Sequence, residues 1–193
     1  YPSRDIIFYS ADIHGQALVQ QRLRVIRKLL DHEPVTVITT MDGLMDSLIP
    51  LEKIAQQVID LREGSIVDRE SLAKRLVNLG FERAVQVEGP GQFSIRGGIL
   101  DFYNLSDDCP YRIEFWDDEI DTIRSFDVDS QRSIERHKSV SIYPASEFIF
   151  TETKIQKGLQ KLKKDVDKSS QVFKKNGDPQ GAANLKHFYE EIS

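Results

Sequence analysis

Residues 82–144 have the pattern of one strand following another. The segments "ERAVQVEGPGQFSIRGGILDFY", "YRIEFWDDEIDTIRSFDV" and "SVSIYP" alternate apolar and polar residues, with glycine, proline and aspartate between the runs. Successive side chains of a strand point to opposite faces, so this period predicts strands with one apolar face. Sequential strands joined by short turns most simply form an antiparallel meander. The pattern therefore predicts an antiparallel sheet that needs a cover on one side.

The residues just before these strands predict a helix that can cover the apolar face of the sheet. A short strand at residues 58–61 is broken by Gly64, and Asp68 is placed to cap a helix. Gly80 can adopt the left-handed conformation that ends a helix, with Phe81 after it for an apolar contact. The apolar face of this helix is formed by Leu72, Leu76 and Leu79. We expect residues 58–143 to form one α+β domain.

The first part of the chain has a different pattern. "QALVQQRLRVIRKLLDH" (residues 16–32) has the period of an amphipathic helix, which Pro34 stops. "VTVITT" (residues 35–40) is rich in β-branched residues, as buried strands are. With "DIIFY" (residues 5–9) this predicts strand, helix, strand, part of a parallel α/β layer, followed by two short helices split at Pro50. The fold class is thus α/β plus α+β, with a partial α/β domain at residues 1–57.

The remaining residues, 144–193, are predicted to be the helical start of a third domain. Two helices are joined by a turn at "NGDPQG", and residues 151–193 carry nine lysines against six acids. Lysines interleaved with aspartates at helical spacing are typical of a solvated helix face, and contact with nucleic acid is the alternative.

Charge and cysteine content exclude several classes of function. The net charge is −5, and residues 101–129 hold ten acids against two arginines, which disfavours DNA binding there and favours a partner with basic groups. The single cysteine, Cys109, excludes an internal disulfide. The chain begins at Tyr1, and its first apolar run is too short and polar for a signal peptide or a membrane span. We expect a piece of a longer cytoplasmic protein.

Motifs of catalysis are missing from the sequence. No stretch matches a phosphate-binding loop, and the glycines of "GPGQFSIRGG" are spaced as turns and a kinked strand rather than as a dinucleotide fingerprint. The carboxylates of "DDEID" (residues 117–121) suit either a metal site or a hairpin turn, and their place between two strands favours the turn. The chain therefore has the features of a binding module rather than of an enzyme.

Polar faces of the predicted strands offer one candidate surface. On a strand at residues 93–103, Arg96 lies opposite the apolar face, and on the next strand Arg112 and Trp116 share the polar side. If these two strands pair, the three residues form one exposed patch. Tryptophan and arginine are enriched among interface hot spots. The alternative is that Trp116 folds against its hairpin or under a neighbouring domain, and periodicity does not decide between them.

Residues 1–148 resemble the UvrB-like module of the bacterial transcription-repair coupling factors (the Mfd family). The likeness is carried by "FSIRGGILDFY", "YRIEFWDDEIDTIRSFDVDSQRSIE", "SIYPASEF" and the opening "YPSRDIIFYSADIHGQALVQQRLRVI". The excision-nuclease subunit UvrB shares part of this core, but "FYSADIHGQALVQQ" leaves no room for its damage-binding hairpin. Residues 127–133, "DVDSQRS", also resemble the coupling factors more than UvrB.

The resemblance implies UvrB-like domains 1A, 2 and 1B, of which domain 2 recruits the damage-recognition ATPase UvrA to stalled RNA polymerase. The family's UvrA contact uses two arginines and one aromatic residue, which match Arg96, Arg112 and Trp116. ATP, magnesium, double-stranded DNA and RNA polymerase are expected to bind other domains of such a protein, whose C-terminal domain covers the UvrA contact. No cofactor, metal or membrane is expected for this chain. The alternatives are a UvrB-type fragment that contacts damaged DNA and, third, an ATPase.

Overall fold

The computed structural model describes residues 1–3, 13–46, 48–148 and 152–192. The chain divides into two compact units, Tyr1–Ile149 and Phe150–Ser193. In chain order the elements are α1 (Ile13–Leu30), α2 (Met41–Met45), α3 (Leu51–Ala55), β1 (Ile59–Arg62), α4 (Arg69–Asn78), β2 (Glu82–Arg83), β3 (Gln92–Arg96), β4 (Ile99–Phe102), β5 (Tyr111–Trp116), β6 (Glu119–Phe126), β7 (Ser133–His137), β8 (Ser139–Ile142), α5 (Glu152–Lys175) and α6 (Pro179–Ile192). The mixed helix-and-sheet class expected from the sequence is confirmed.

The strand predicted at residues 35–40 is wrong. These residues form no strand in the structure, and Val37 and Ile38 are exposed. β-branched residues favour strands only where a neighbouring strand pairs with them. The partner predicted for them, residues 5–9, lies outside the described residues. The predicted helix before them and the two short helices split at Pro50 are confirmed as α1, α2 and α3.

Helix α4 has the ends that its sequence predicts. The Asp68 carboxylate accepts a hydrogen bond from the Ser71 backbone N–H at 2.9 Å, as an N-cap should. At the other end Gly80 has φ +90°, and the Phe81 N–H donates to the Leu76 carbonyl at 3.0 Å. This pairing is a Schellman motif, which satisfies carbonyl groups left open at the helix end.

Six strands form one sheet, in the order β2-β3-β4-β5-β6-β7. The pairs from β3 to β7 are all antiparallel, which confirms the predicted meander, and β2 joins its edge in parallel with β3. Strands β1 and β8 pair with each other in a separate two-stranded antiparallel sheet. Leu72 and Leu76 of α4 share one buried cluster with Phe93, Leu100 and Ile113 of the larger sheet. The helix therefore covers the apolar face.

The single strand predicted at residues 93–103 is wrong, because the chain reverses at Gly97 and Gly98. β3 and β4 pair as a hairpin, with Arg96 opposite Ile99. Gly97 has φ +59°, a conformation that the first position of a tight two-residue turn requires and that glycine adopts at little cost. The glycine pair, interpreted from the sequence as a kink, is a turn.

The second unit consists of α5 and α6, as predicted. Val166, Ser170 and Ala182 are buried where the two helices pack together. The chain turns between them at Gly177, which has φ +78°.

The predicted division at residues 57 and 143 remains a prediction. None of the described helices combines the length and apolar character that a membrane crossing requires.

Candidate protein-binding surface

The three predicted site residues lie on the polar face of the larger sheet. Arg96 is the last residue of β3, whereas Arg112 and Trp116 begin and end the polar side of β5. Strand β4 lies between β3 and β5, so residues 99–102 of the predicted strand pair with β5, whereas the part that carries Arg96 does not. The register nevertheless puts Asp101 of β4 directly opposite Arg112. Asp101 thus stands between the two arginines.

Asp101 binds both arginines. Its carboxylate accepts from Arg112 Nε at 2.7 Å and Nη2 at 2.8 Å, a bidentate pair, and from Arg96 Nη2 at 2.8 Å. The Asp101 side chain is only 1% exposed. A buried carboxylate is costly unless cations and hydrogen bonds compensate for lost water. Two arginines from neighbouring strands supply that compensation, and in return Asp101 fixes their positions.

Arg112 is held from several sides. Its guanidinium lies 4.5 Å from the centre of the Phe126 ring, and its Nη2 donates to the Gln131 side-chain oxygen at 3.1 Å. The bond to Asp101 raises the pKa of Arg112 above its ordinary value. Since its side chain is 17% exposed, Arg112 presents only an edge of the guanidinium to solvent. It is as much a part of the domain's framework as of its surface.

Arg96 is the more available of the two arginines. Its side chain is 46% exposed, and the contact with Asp101 engages Nη2. A guanidinium carries five N–H donors in a planar fork. The Arg96 guanidinium therefore has N–H donors beyond the one given to Asp101, and its exposure lets an acceptor on another molecule reach it.

Trp116 projects into solvent at the end of the β5–β6 hairpin. It is 81% exposed, so it does not fold against its own hairpin. Asp117 and Asp118 form the two-residue turn after it, with φ +55° at Asp117. The predicted hairpin at "DDEID" is confirmed, with residues 117–118 as the turn and residues 119–121 as the start of β6. Within the described part of the chain, no group of acidic, histidine or cysteine side chains could hold a metal ion.

Arg69 ties this end of the sheet together. Its Nη1 donates to the Gly97 carbonyl of the β3–β4 turn at 3.1 Å, and its Nη2 lies 4.0 Å from the Asp118 carboxylate of the β5–β6 turn. One side chain at the start of α4 thus contacts both hairpin turns. Arg96 and Trp116 therefore lie next to hairpin turns whose positions Arg69 helps to fix.

Sequence reasoning missed Asp101 and Arg69. Asp101 lies in "ILDF", an otherwise apolar strand, and the sequence did not indicate which residues pair with its carboxylate. In the structure the β3–β4 hairpin places it between two arginines. A lone carboxylate within an apolar strand was the available signal, since such a group must find cations. Nothing in the local sequence distinguished Arg69 from other exposed helix residues.

The chain is similar in sequence to known proteins. The family model described as UvrB interaction domain matches residues 59–148. The whole chain is 36% identical to the transcription-repair-coupling factor of Bacillus subtilis and 34% identical to those of Staphylococcus haemolyticus and Staphylococcus aureus. The chain spans about 16% of the length of these relatives. The chain is therefore related along its whole length to the transcription-repair-coupling factors, and its residues 59–148 match the UvrB interaction domain.

Proposed function

We propose that this chain recruits UvrA to lesions where RNA polymerase has stalled, and that Arg96, Arg112 and Trp116 form the contact. The proposal is supported by the match to a UvrB interaction domain and by relatives named for coupling transcription to repair. The observation that carries it is the polar face itself. An exposed tryptophan and an outward-facing arginine stand on one face of a sheet whose other face is buried.

The three residues have different tasks in this proposal. Trp116, with most of its surface in solvent, is the anchor that a pocket on UvrA buries. Arg96 offers charge-assisted hydrogen bonds to acceptors on UvrA. Arg112 positions Asp101, and Asp101 holds Arg96 in place. Arg112 contributes its exposed edge to the contact and its buried part to the geometry.

The remaining activities of the coupling factors belong to parts outside this chain. ATP and magnesium serve the downstream motor, and RNA polymerase and double-stranded DNA bind other domains. In this proposal the chain itself carries out no catalytic step, requires no cofactor and acts in the cytoplasm. A C-terminal domain of the full protein covers the contact until UvrA binding is required.

The test is the affinity of purified UvrA for the immobilised chain carrying Trp116→Ala. Truncating an anchor costs about 2 kcal/mol or more, so we expect binding at least ~30-fold weaker. Trp116→Phe, which keeps an aromatic ring, is the matched control and should retain most of the affinity. The side chain is exposed, so both variants should unfold at the wild-type urea concentration. Unchanged UvrA affinity in Trp116→Ala would refute the assignment.

The same preparation tests the UvrB-type alternative. Salt-dependent retention of duplex DNA by the chain would support direct DNA contact. The ten acids in residues 101–129 lead us to expect no such retention.

A further inference from the structure

A second large apolar side chain stands beside Trp116. Ile66, in the segment between β1 and α4, forms a bridge with Glu119, and Glu119 pairs with Trp116 across the β5–β6 hairpin. Residues directly opposite one another in a sheet point to the same face. Ile66, Glu119 and Trp116 therefore form one row, in which the two apolar residues are about 10 Å apart at Cα, given the usual spacing of paired strands.

Both apolar members of this row are almost fully in solvent. Ile66 is 82% exposed and Trp116 is 81% exposed. Single exposed apolar residues are common on protein surfaces and need no explanation. Two such residues in one row, at the edge of a surface already proposed to bind a protein, form a pair of anchors that one partner could cover together.

The backbone carrying Ile66 is fixed to the sheet. The Ile120 N–H donates to the Ser65 carbonyl at 2.9 Å, and the Val67 N–H donates to the Asp118 carbonyl at 2.8 Å. These two bonds flank Ile66 on both sides. A side chain on a fixed backbone loses little conformational freedom when a partner covers it, which favours its use as an anchor.

The charges around the row indicate the chemistry of the partner. Asp117, Asp118 and Glu119 are exposed, with Glu119 between the two apolar side chains, and of the three only Asp118 has the Arg69 guanidinium nearby, at 4.0 Å. A surface that covers Trp116 and Ile66 must approach these carboxylates. Charge complementarity calls for lysine or arginine beside an apolar socket, since an acidic surface would be repelled.

We propose that Ile66 is a second anchor of the same UvrA contact, and that it enters an apolar socket on UvrA whose rim is basic and faces Glu119. This inference rests on the proposed function and extends the contact beyond the two arginines and the tryptophan. It assigns a role to a residue outside the meander, on the segment that leads into α4.

The test compares UvrA binding by Ile66→Ala with binding by Ile134→Ala. Ile134 is 63% exposed on β7, near the Phe126 end of β6, so it is an isoleucine of similar exposure at the opposite end of the sheet. We expect Ile66→Ala to weaken binding about tenfold or more, as for an interface anchor, and Ile134→Ala to leave it within about twofold. Far-UV circular dichroism and urea midpoints establish that both variants are folded.

The charge arm uses Glu119→Lys. We expect weaker binding at low salt and a smaller difference from wild type at high salt, because salt screens the repulsion from a basic rim. Wild-type binding by Glu119→Lys at low salt would contradict the basic rim.

The outcomes separate the two proposals. If Trp116→Ala weakens binding and Ile66→Ala does not, the second anchor is refuted and the proposed function stands. If UvrA binds none of the proteins, wild type included, the proposed function fails and the second anchor with it. Loss of binding in both Trp116→Ala and Ile66→Ala supports both proposals.

Discussion

Replacing Arg112 with alanine should destabilise the domain far more than replacing Arg96. Arg112 gives Asp101 two hydrogen bonds at 2.7 and 2.8 Å and is 17% exposed, whereas Arg96 gives one and is 46% exposed. Hydrogen bonds to charged groups contribute about 1.5–3 kcal/mol each, and removing one partner of a buried pair costs about 3–5 kcal/mol. Asp101 keeps Arg96 as a partner, so we place the cost of Arg112→Ala at the lower end, about 3 kcal/mol. The partly exposed Arg96 pair should contribute at most about 1 kcal/mol.

The assay is equilibrium unfolding in urea followed by far-UV circular dichroism. Tryptophan fluorescence is a poor probe, because Trp116 is exposed in the folded protein. With an m-value of about 2 kcal/mol/M, Arg112→Ala should lower the midpoint by roughly 1.5 M and Arg96→Ala by at most about 0.5 M. A loss in Arg96→Ala as large as in Arg112→Ala would refute the view that Arg112 is the main support of Asp101.

A double variant tests why Arg112→Ala destabilises the domain. If the cost of Arg112→Ala comes from a buried carboxylate with too few partners, removing its charge with Asp101→Asn in the same chain should restore part of the lost stability. A double variant less stable than Arg112→Ala would contradict this reasoning. The result also bears on the docking test, because a loss of UvrA binding in Arg112→Ala combines lost contact with lost positioning. Trp116→Ala is free of this ambiguity.

Two further predictions concern the frame of the domain. Gly80→Ala should lower the urea midpoint, because Gly80 has φ +90° and an added Cβ would lie 2.7 Å from the Ser146 Cβ. An unchanged midpoint would contradict this and show that the end of α4 can shift without cost. The hydrogen bond from Arg136 lowers the pKa of Glu63 below its ordinary value of 4.5. The ionised Glu63 therefore stabilises the folded state above pH 4.5, and this contribution is lost as the pH falls through the lower pKa of the folded state. Wild type should therefore be more stable than Glu63→Gln at pH 7, and urea titrations should show the difference shrinking below about pH 4.5; a constant difference would contradict the assignment.

Helix α4 and its ends could be predicted because their signals are local. Asp68 caps within three residues, and Gly80 ends the helix through bonds to the preceding turn. The antiparallel meander could be predicted equally well, since alternating apolar and polar residues and short turns indicate pairing between consecutive strands.

Errors arose where structure depends on distant partners. Residues 35–40 have the composition of a strand, but composition supplies no neighbour to pair with. Gly97 and Gly98 suit a bulge and a turn equally well, and the choice depends on whether β4 folds back on β3. That choice also decides the candidate site, because only the hairpin inserts Asp101 between Arg96 and Arg112. The row of Ile66 and Trp116 could not be predicted for the same reason, because Glu119, which pairs with Ile66, lies 53 positions further along the chain.

The pairing of β1 with β8 brings the entry and the exit of the UvrB interaction domain together. Ile59, where the matched region begins, is directly opposite Ile142, near its end. Paired strands lie about 5 Å apart, so the chain enters and leaves the domain almost at one point. Domains with adjacent ends tolerate insertion into other proteins. Residues 59–142 could thus be transplanted as a module into an unrelated host loop and carry the proposed docking face with them.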